Sequence, residues 1–211
     1  MSVDETDRAL MRRVAAHVCD HVGECFGEPP WGSLHWAPAT EVVKTGEGVA
    51  PFLRLIESTM APLYRKHKGD QWTLEKQMEM REPGIVYVWI EDARQVPVAF
   101  VTVKVVSNDG MVVLYLYEIH VLPRYHGKRL GAYLINGVHQ LTATVTYPYP
   151  LQATCLTVFS DNHRALVWYT KLGYRLSRSS PTDIVLRGRI KKPQCYYMER
   201  LIASSPTLKL A

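Results

Sequence analysis

The stretch that decides the fold is Tyr115–Ala132, which reads YLYEIHVLPRYHGKRLGA. Its first part belongs to an apolar run that predicts a buried strand carrying one acid, Glu118. A short basic loop follows, and Gly131 stands where a helix begins. A strand–helix junction of this kind offers unpaired backbone N–H groups and the positive end of a helix dipole, which suit a phosphate. The stretch therefore predicts a phosphate-bearing ligand beside a carboxylate.

Composition favours a single globular domain with a sizeable core, because 47% of the 211 residues are hydrophobic and 21% are charged. Apolar runs are strand-sized and far short of the ~20 residues of a membrane helix, so we expect no membrane partner. The N-terminus has no long apolar segment and does not resemble a secretory signal. Four scattered cysteines then indicate free thiols in a reducing compartment.

No metal is expected. His17, Cys19, His21 and Cys25 lie close together, but Cys19 would face away from both histidines on a helix, which is poor spacing for zinc. The net charge of +5 and a pI near 9.0 fit nucleic acid, an anionic cofactor or simple solubility, and do not decide among them.

Hydrophobic periodicity predicts a mixed order of helices and strands. Helices are expected at about 4–26, 51–67, 72–81, 131–145 and 161–172, and strands at about 85–91, 96–106, 112–121, 152–159, 173–177 and 194–202. Residues 27–36 are predicted to be a connector and 187–192 an exposed basic loop. Ser160 or Asp161 is the expected cap of the last helix. The order predicts an α/β (α+β) fold, in which one mixed sheet, mostly antiparallel, has helices on both faces.

A second motif, Asn162–Tyr174, follows the strand Leu156–Phe159 and matches Asn-x-x-Ala-x-x-x-Tyr-x-x-x-Gly-Phe/Tyr position by position. Together with the loop His126–Gly131, it resembles the Gcn5-related N-acetyltransferase (GNAT) superfamily, whose loop pattern is Arg/Gln-x-x-Gly-x-Gly/Ala. This chain departs from that pattern at His126 and at Arg129, which stands at the first Gly. The resemblance implies the GNAT fold and acetyl-CoA as co-substrate.

Shorter segments narrow the resemblance to NatD-type N-alpha-acetyltransferases over about Trp31–Leu201. These segments are Val96–Phe100, Tyr115–Glu118, Leu156–Phe159 with Asn162-His163, and Ser179–Pro181. That family acetylates the N-terminal Ser of two core histones, H-four and H-two-A, whose tails begin Ser-Gly-Arg-Gly. The resemblance implies histone tails as partners, no obligate auxiliary subunit, and a location in nucleus and cytoplasm.

The domain organisation expected from this resemblance has three parts. An N-terminal helical extension covers 1–30, the GNAT domain covers 31–202, and a C-terminal tail covers 203–211.

The candidate catalytic residues are Glu118 and Tyr169. Glu118, in an apolar strand and with a raised pKa, could take the proton that an N-terminal amine must lose before it attacks a thioester. The alternative is a hydrogen-bonded structural acid. Tyr169 matches the tyrosine that protonates the leaving thiolate in many GNAT enzymes, and packing against cofactor or core is its alternative role.

The resemblance also assigns binding residues. Cofactor contacts are expected from strand backbone, the loop and the later Asn: Ile119, His120, Val121, Gly127, Lys128, Arg129, Leu130, Gly131, Ala132 and Asn162. Peptide contacts are expected from Tyr64, Tyr117, Thr157, Ser180 and Tyr197.

Three other functions remain open on the sequence alone. The same chemistry could act on a lysine side chain or a small amine. A non-catalytic module could bind acyl-CoA or histone tails. A DNA-binding protein would rest only on the pI and on Arg187–Lys192, so direct nucleic-acid binding is not expected.

Overall fold

The backbone is organised around a seven-stranded sheet. The computed structural model describes the backbone of residues 3–202 and the side chains of residues 7–202, so the expected tail at 203–211 lies outside the described residues. The helices are α1 (Val3–Phe26), α2 (Ala39–Val42), α3 (Ala50–Lys68), α4 (Trp72–Glu79), α5 (Leu130–Thr144) and α6 (His163–Lys171). The strands are β1 (Ser33–Pro38), β2 (Val86–Glu91), β3 (Pro97–Asn108), β4 (Met111–Val121), β5 (Ala153–Phe159), β6 (Arg175–Leu176), β7 (Ile184–Leu186), β8 (Arg189–Lys191) and β9 (Cys195–Leu201).

The strand order in the main sheet is β1-β2-β3-β4-β5-β9-β6. Strands β2, β3 and β4 form an antiparallel meander, and the pairing of β4 with β5 is parallel. The predicted mixed, mostly antiparallel sheet is therefore confirmed. None of the helices within the described part of the chain has the length and hydrophobicity needed to cross a bilayer.

Helices cover both faces of this sheet. On one face α1 and α5 share a core with alternate residues of β2, β3 and β4, while α3 and α4 pack on the opposite face. Phe26 at the end of α1 lies directly against Gly137 of α5, where an added Cβ would overlap the phenyl ring. The lack of a side chain at Gly137 thus allows helix α1 to pack closely against α5.

Two predicted loops are wrong. Part of the expected connector is strand β1, which pairs antiparallel with β2 from Ser33 to Pro38. The prolines and glycines of the connector that favour a loop, Pro30 and Gly32 among them, all precede β1, and the strand begins directly after them. The expected basic loop is the β7–β8 hairpin, whose turn residues Arg187 and Gly188 both have positive φ (32° and 85°). Positive φ at both positions suits a two-residue hairpin turn.

The predicted cap of α6 is also wrong. The side chain of Asn162 caps the helix by accepting a hydrogen bond from the Ala165 N–H at 3.2 Å. Ser160 and Asp161 have other partners: the Ser160 hydroxyl donates to the Pro193 carbonyl, and Asp161 pairs with Lys66 at 2.6 Å. Long-range contacts thus occupy the two side chains that local sequence favoured.

Candidate active site

A β-bulge in β4 aims the candidate acid. Thr102 of β3 faces Glu118, and the next residue, Val103, faces Leu116, so Tyr117 is the extra residue. Leu116 belongs to the core under α5, whereas Glu118 contacts side chains of α3 and α4 on the other face. Bulges reverse which face a following side chain meets, and they are frequent next to active sites. The bulge places Glu118 away from the main core.

The same region opens the sheet. Strand β4 pairs with β5 only from Val113 to Leu116, and the pairing stops just before the bulge. Beyond that point the two strands border a cavity of about 1020 Å³. Ligand pockets are commonly of this size. Glu118 lines this cavity, which extends to the strand–helix junction at the start of α5.

Glu118 is buried, and both of its carboxylate oxygens have partners. Oε1 accepts a hydrogen bond from the Tyr64 hydroxyl and lies 2.7 Å from the Lys76 ammonium nitrogen. Oε2 lies 2.6 Å from Nε2 of His120, and Nδ1 of that ring lies 2.7 Å from the Thr59 hydroxyl oxygen. The carboxylate is therefore held by three side chains.

This pairing reverses the pKa shift that the sequence led us to expect. Burial alone would raise the pKa of the Glu118 carboxyl, but Lys76 and His120 together hold it well below its usual range. In the same way, burial would lower the pKa of Lys76, but Glu118, Tyr64 and Glu79 raise it. The expectation of a raised pKa at Glu118 was wrong, because the sequence does not reveal Lys76 as a partner. In the free chain Glu118 is an ionised carboxylate.

The wall around Glu118 is aromatic. Tyr64 stacks on Trp72 with ring centroids 4.6 Å apart, and Tyr115 meets Tyr117 edge to face at 5.2 Å. Burial raises the pKa of Tyr117 to about 12, with Glu82 and Glu79 adding to the shift. Tyr169 is buried on α6, and burial raises its pKa as well. These phenols are neutral near neutral pH and can donate hydrogen bonds.

The junction at the start of α5 has room for a ligand. Gly127 has a φ of 77° and an added Cβ there would meet nothing within 4 Å. At Gly131 an added Cβ would come no closer than 3.8 Å to Trp168, so packing within the chain does not require this glycine. Arg129, at the helix N-cap, is left-handed with a φ of 62°. A glycine adopts that conformation without cost, and here an arginine does so.

Most of the predicted site residues meet at the large cavity. Those that line it are Tyr64, Tyr117, Glu118, Ile119, His120, Val121, Gly127, Arg129, Leu130, Gly131, Ala132, Thr157, Asn162 and Tyr169. Asn162 lines it while also capping α6, and its amide nitrogen lies 3.6 Å from the Met60 sulfur.

Three predicted site residues lie elsewhere. The Lys128 ammonium sits 3.9 Å from the centre of the Trp31 ring and does not line the large cavity. Tyr197 lines a second cavity of about 350 Å³, which shares Tyr115 and Thr157 with the first. The Ser180 hydroxyl oxygen accepts a hydrogen bond from the Tyr197 N–H at 3.0 Å and borders neither cavity.

Sequence reasoning missed Lys76 and Thr59 as neighbours of the acid. Lys76 is one lysine on a short polar helix, and no local pattern distinguishes it from its solvated counterparts. Thr59 lies 61 residues from His120 in the chain. Only the packing of α3 and α4 on the sheet brings these groups to Glu118.

Comparisons with known proteins agree with this geometry. Residues 82–176 match the acetyltransferase (GNAT) domain family. The chain is 30% identical over 151 residues to N-alpha-acetyltransferase 40 of Saccharomyces cerevisiae, a match that covers 61% of this chain. It spans about half, 52%, of the length of that yeast relative.

Two solved structures share the fold. The crystal structure of Arabidopsis thaliana NAA60 with a bisubstrate analogue has a TM-score of 0.54 and 15% identity, covering 81% of this chain and 100% of that one. The PaiA N-acetyltransferase of Thermoplasma acidophilum, in complex with coenzyme A, has a TM-score of 0.53 and 12% identity, covering 81% and 99%. The chain therefore has the GNAT fold, and its residues 82–176 match the acetyltransferase (GNAT) domain family.

Proposed function

We propose that the chain transfers the acetyl group of acetyl-CoA to the N-terminal α-amine of a protein, with Glu118 receiving the proton that the amine loses. The observation that carries the proposal is the place of Glu118, a buried carboxylate at the bulge of β4 in a cavity that reaches the N-terminus of α5. Further support comes from the yeast relative, which is named an N-alpha-acetyltransferase.

The α5 end of the cavity fits the pyrophosphate of acetyl-CoA. The first N–H groups of a helix have no partner within the helix, and its N-terminus favours negative charge. Gly127 and Gly131 leave the backbone accessible there, and Arg129 adds a cation. The unpaired edge of β4 from Ile119 to Val121 would bind the extended pantetheine arm as a further strand.

The acetyl thioester supplies the electrophilic carbonyl carbon, and the chain's residues prepare the amine. An N-terminal α-amine has a pKa of about 7.7–8.0, so much of it is protonated near neutral pH. Glu118 can attract this ammonium and then accept its proton, while Tyr64 and His120 keep the carboxylate oriented. The amine forms the C–N bond and the C–S bond breaks. Tyr169, which lines the cavity, would donate a proton to the leaving thiolate.

The acceptor proposed here is a histone tail that begins Ser-Gly-Arg-Gly. A narrow aromatic wall with a few hydroxyls suits a small first residue, and Tyr64, Tyr117 and Thr157 supply such a wall. We expect the chain to act without an auxiliary subunit in nucleus and cytoplasm. Mass spectrometry of histone N-termini from cells lacking the protein, together with cell fractionation, tests these expectations.

A two-peptide assay tests the acceptor. Release of coenzyme A is measured with Ser-Gly-Arg-Gly-Lys carrying either a free or a formylated N-terminus. Release with the free peptide alone supports the proposal. Release with both peptides would instead support the second candidate, a lysine acetyltransferase, which one observation favours: the Lys76 ε-ammonium already lies 2.7 Å from Glu118. If no amine causes release of coenzyme A, the result would favour a non-catalytic binding module.

The role of Glu118 is tested by Glu118→Gln, which keeps the shape and removes the base. We expect kcat to fall roughly 10²–10⁴-fold, the usual contribution of a general base. Near-normal turnover with saturating peptide across about pH 6–9 would contradict the assignment.

A further inference from the structure

Lys76 is a buried ammonium shared by two carboxylates. Its side chain is 9% exposed, and its nitrogen lies 2.7 Å from Oε1 of Glu118 and 2.6 Å from Oε1 of Glu79. All three side chains line the large cavity. A primary ammonium therefore already stands beside the carboxylate that the proposed reaction offers to an incoming amine.

Glu118 has little room for another donor. A carboxylate accepts about four hydrogen bonds, and three of these directions are taken by Tyr64, Lys76 and His120. The tyrosine ring is fixed by its stack on Trp72. The histidine ring is fixed by its contact with Phe100, 5.3 Å between centroids, and by its hydrogen bond to Thr59.

Lys76 differs from these two donors because it has a flexible stem and a second carboxylate to receive it. Glu79 lies one helical turn along α4 and already contacts the ammonium. The lysine can leave Glu118 without losing its ion pair, which neither ring can do. Lys76 is thus the partner of Glu118 that an acceptor can displace.

The charges of this cluster favour an exchange. Glu118 and Glu79 are two carboxylates, and Lys76 is the lysine ammonium between them. The two carboxylates share this one ammonium, so a second ammonium that enters the cluster can pair with one of them while Lys76 stays with the other. Glu118 would then pair with the acceptor and Glu79 with Lys76.

We propose that Lys76 holds the place of the acceptor's ammonium at Glu118, and that the acceptor binds by exchanging with it while Glu79 retains the displaced lysine. This inference rests on the proposed function. Exchange also prepares the chemistry, because Glu118 loses the cation that most opposes its protonation. The acceptor's proton then passes to Glu118, the nitrogen lone pair forms the C–N bond, and the thiolate leaves as the C–S bond breaks.

Other ionisable groups besides Lys76 also act on Glu118. They come from α3, α4, β2, β4 and α6, and they are Tyr64, Glu79, Tyr87, His120 and Tyr169. The substitutions below alter Lys76 or Glu79 and leave the remaining groups in place.

Three variants test the exchange through the KM for the acceptor peptide. Lys76→Met removes the competitor, so KM should fall on the order of tenfold, and the acidic limb of kcat/KM should move to higher pH. Glu79→Gln removes the place to which Lys76 moves, so KM should rise by a similar factor. In the double variant the effect of Glu79→Gln should vanish.

Lys104→Met is the matched control. Lys104 is 11% exposed and pairs with Glu82 at 2.9 Å, but it lies outside the cavity. It should leave both KM and the acidic limb unchanged. A rise in KM with Lys76→Met, or a Glu79→Gln effect that persists in the double variant, would mean that Lys76 only holds α4 against the sheet, and would overturn the proposal.

A titration separates failure of this inference from failure of the proposed function. Carbon NMR follows the Glu118 carboxyl, assigned with Glu118→Gln, in the free chain without substrate. It should not titrate from about pH 8 to 4 in the natural sequence and should titrate at higher pH in Lys76→Met. An unchanged titration would refute the inference even in an active enzyme. The expected shift in a chain that acetylates no amine would refute only the function.

Discussion

The two ring nitrogens of His120 connect Glu118, 2.6 Å from Nε2, to Thr59, 2.7 Å from Nδ1. The contact with His120 is one of the influences that lower the pKa of Glu118. The histidine therefore sets both the orientation and the proton affinity of the carboxylate. It acts through Glu118 and is a positioning residue.

His120→Asn tests this position. Loss of the ring contact should raise the pKa of Glu118, so the acidic limb of kcat/KM moves to higher pH, and kcat falls because the carboxylate is less well oriented. Unlike Lys76→Met, this change should not tighten acceptor binding. His163→Asn, on the exposed start of α6, is the control and should leave the profile unchanged.

Two glycines of α5 should respond oppositely to alanine. Gly137→Ala forces a Cβ into the Phe26 ring and should lower the free energy of unfolding by about 1–3 kcal/mol. Gly131→Ala meets only ordinary contacts and should raise it by up to about 1 kcal/mol through helix propensity. Only Gly131→Ala should raise the KM for acetyl-CoA. Urea unfolding and initial rates measure both, and equal losses of stability would contradict the packing described.

Arg129 should carry a backbone cost that glycine removes. Arg129→Gly and Arg129→Ala delete the same charge, but only glycine is unstrained at a φ of 62°. The glycine variant should therefore be more stable than the alanine variant by up to about 1 kcal/mol. Both should raise the KM for acetyl-CoA alike if the lost cation contacts phosphate. Thermal unfolding in parallel checks the difference, and a more stable alanine variant would show that the loop relaxes.

His139 should make stability depend on pH. Burial, with a smaller effect of Arg200, lowers the pKa of this histidine from 6.5 to about 4. Between these values the unfolded chain binds more protons than the folded chain, so stability falls as the pH drops from 6.5 towards 4.

His139→Gln, which can still hydrogen-bond the Tyr174 hydroxyl, should reduce the loss of melting temperature across that interval. His163→Gln should not, because that side chain is exposed. An identical pH dependence in all three proteins would exclude His139 as its source.

The sequence predicted those features that depend on local pattern. Hydrophobic periodicity located the long helices and the three strands that form the β2–β4 meander. Most of the site residues that the GNAT resemblance assigned line one cavity, because the backbone at the β4–α5 junction forms much of the cavity wall. These features need no knowledge of distant side chains.

Features set by long-range packing escaped prediction. Strict alternation along β4 would place Leu116 and Glu118 on the same face, and only the bulge at Tyr117 separates them. The ion pair between Lys76 and Glu118 joins the short helix α4 to strand β4, which lies far from it in the chain. No local motif therefore predicts this pair. Strand β1 forms because β2 offers an edge to pair with, and not through its own propensity.

The parting of β4 and β5 after Leu116 has an evolutionary consequence. The gap between these two strands exists because the backbone holds them apart. Substitution of the surrounding side chains therefore does not close it. That is how a chain can carry His126 and Arg129 in its loop, and how structures only 12–15% identical to it retain the same architecture. The backbone topology fixes the position of the gap, and the side chains around it determine which ligands fit there.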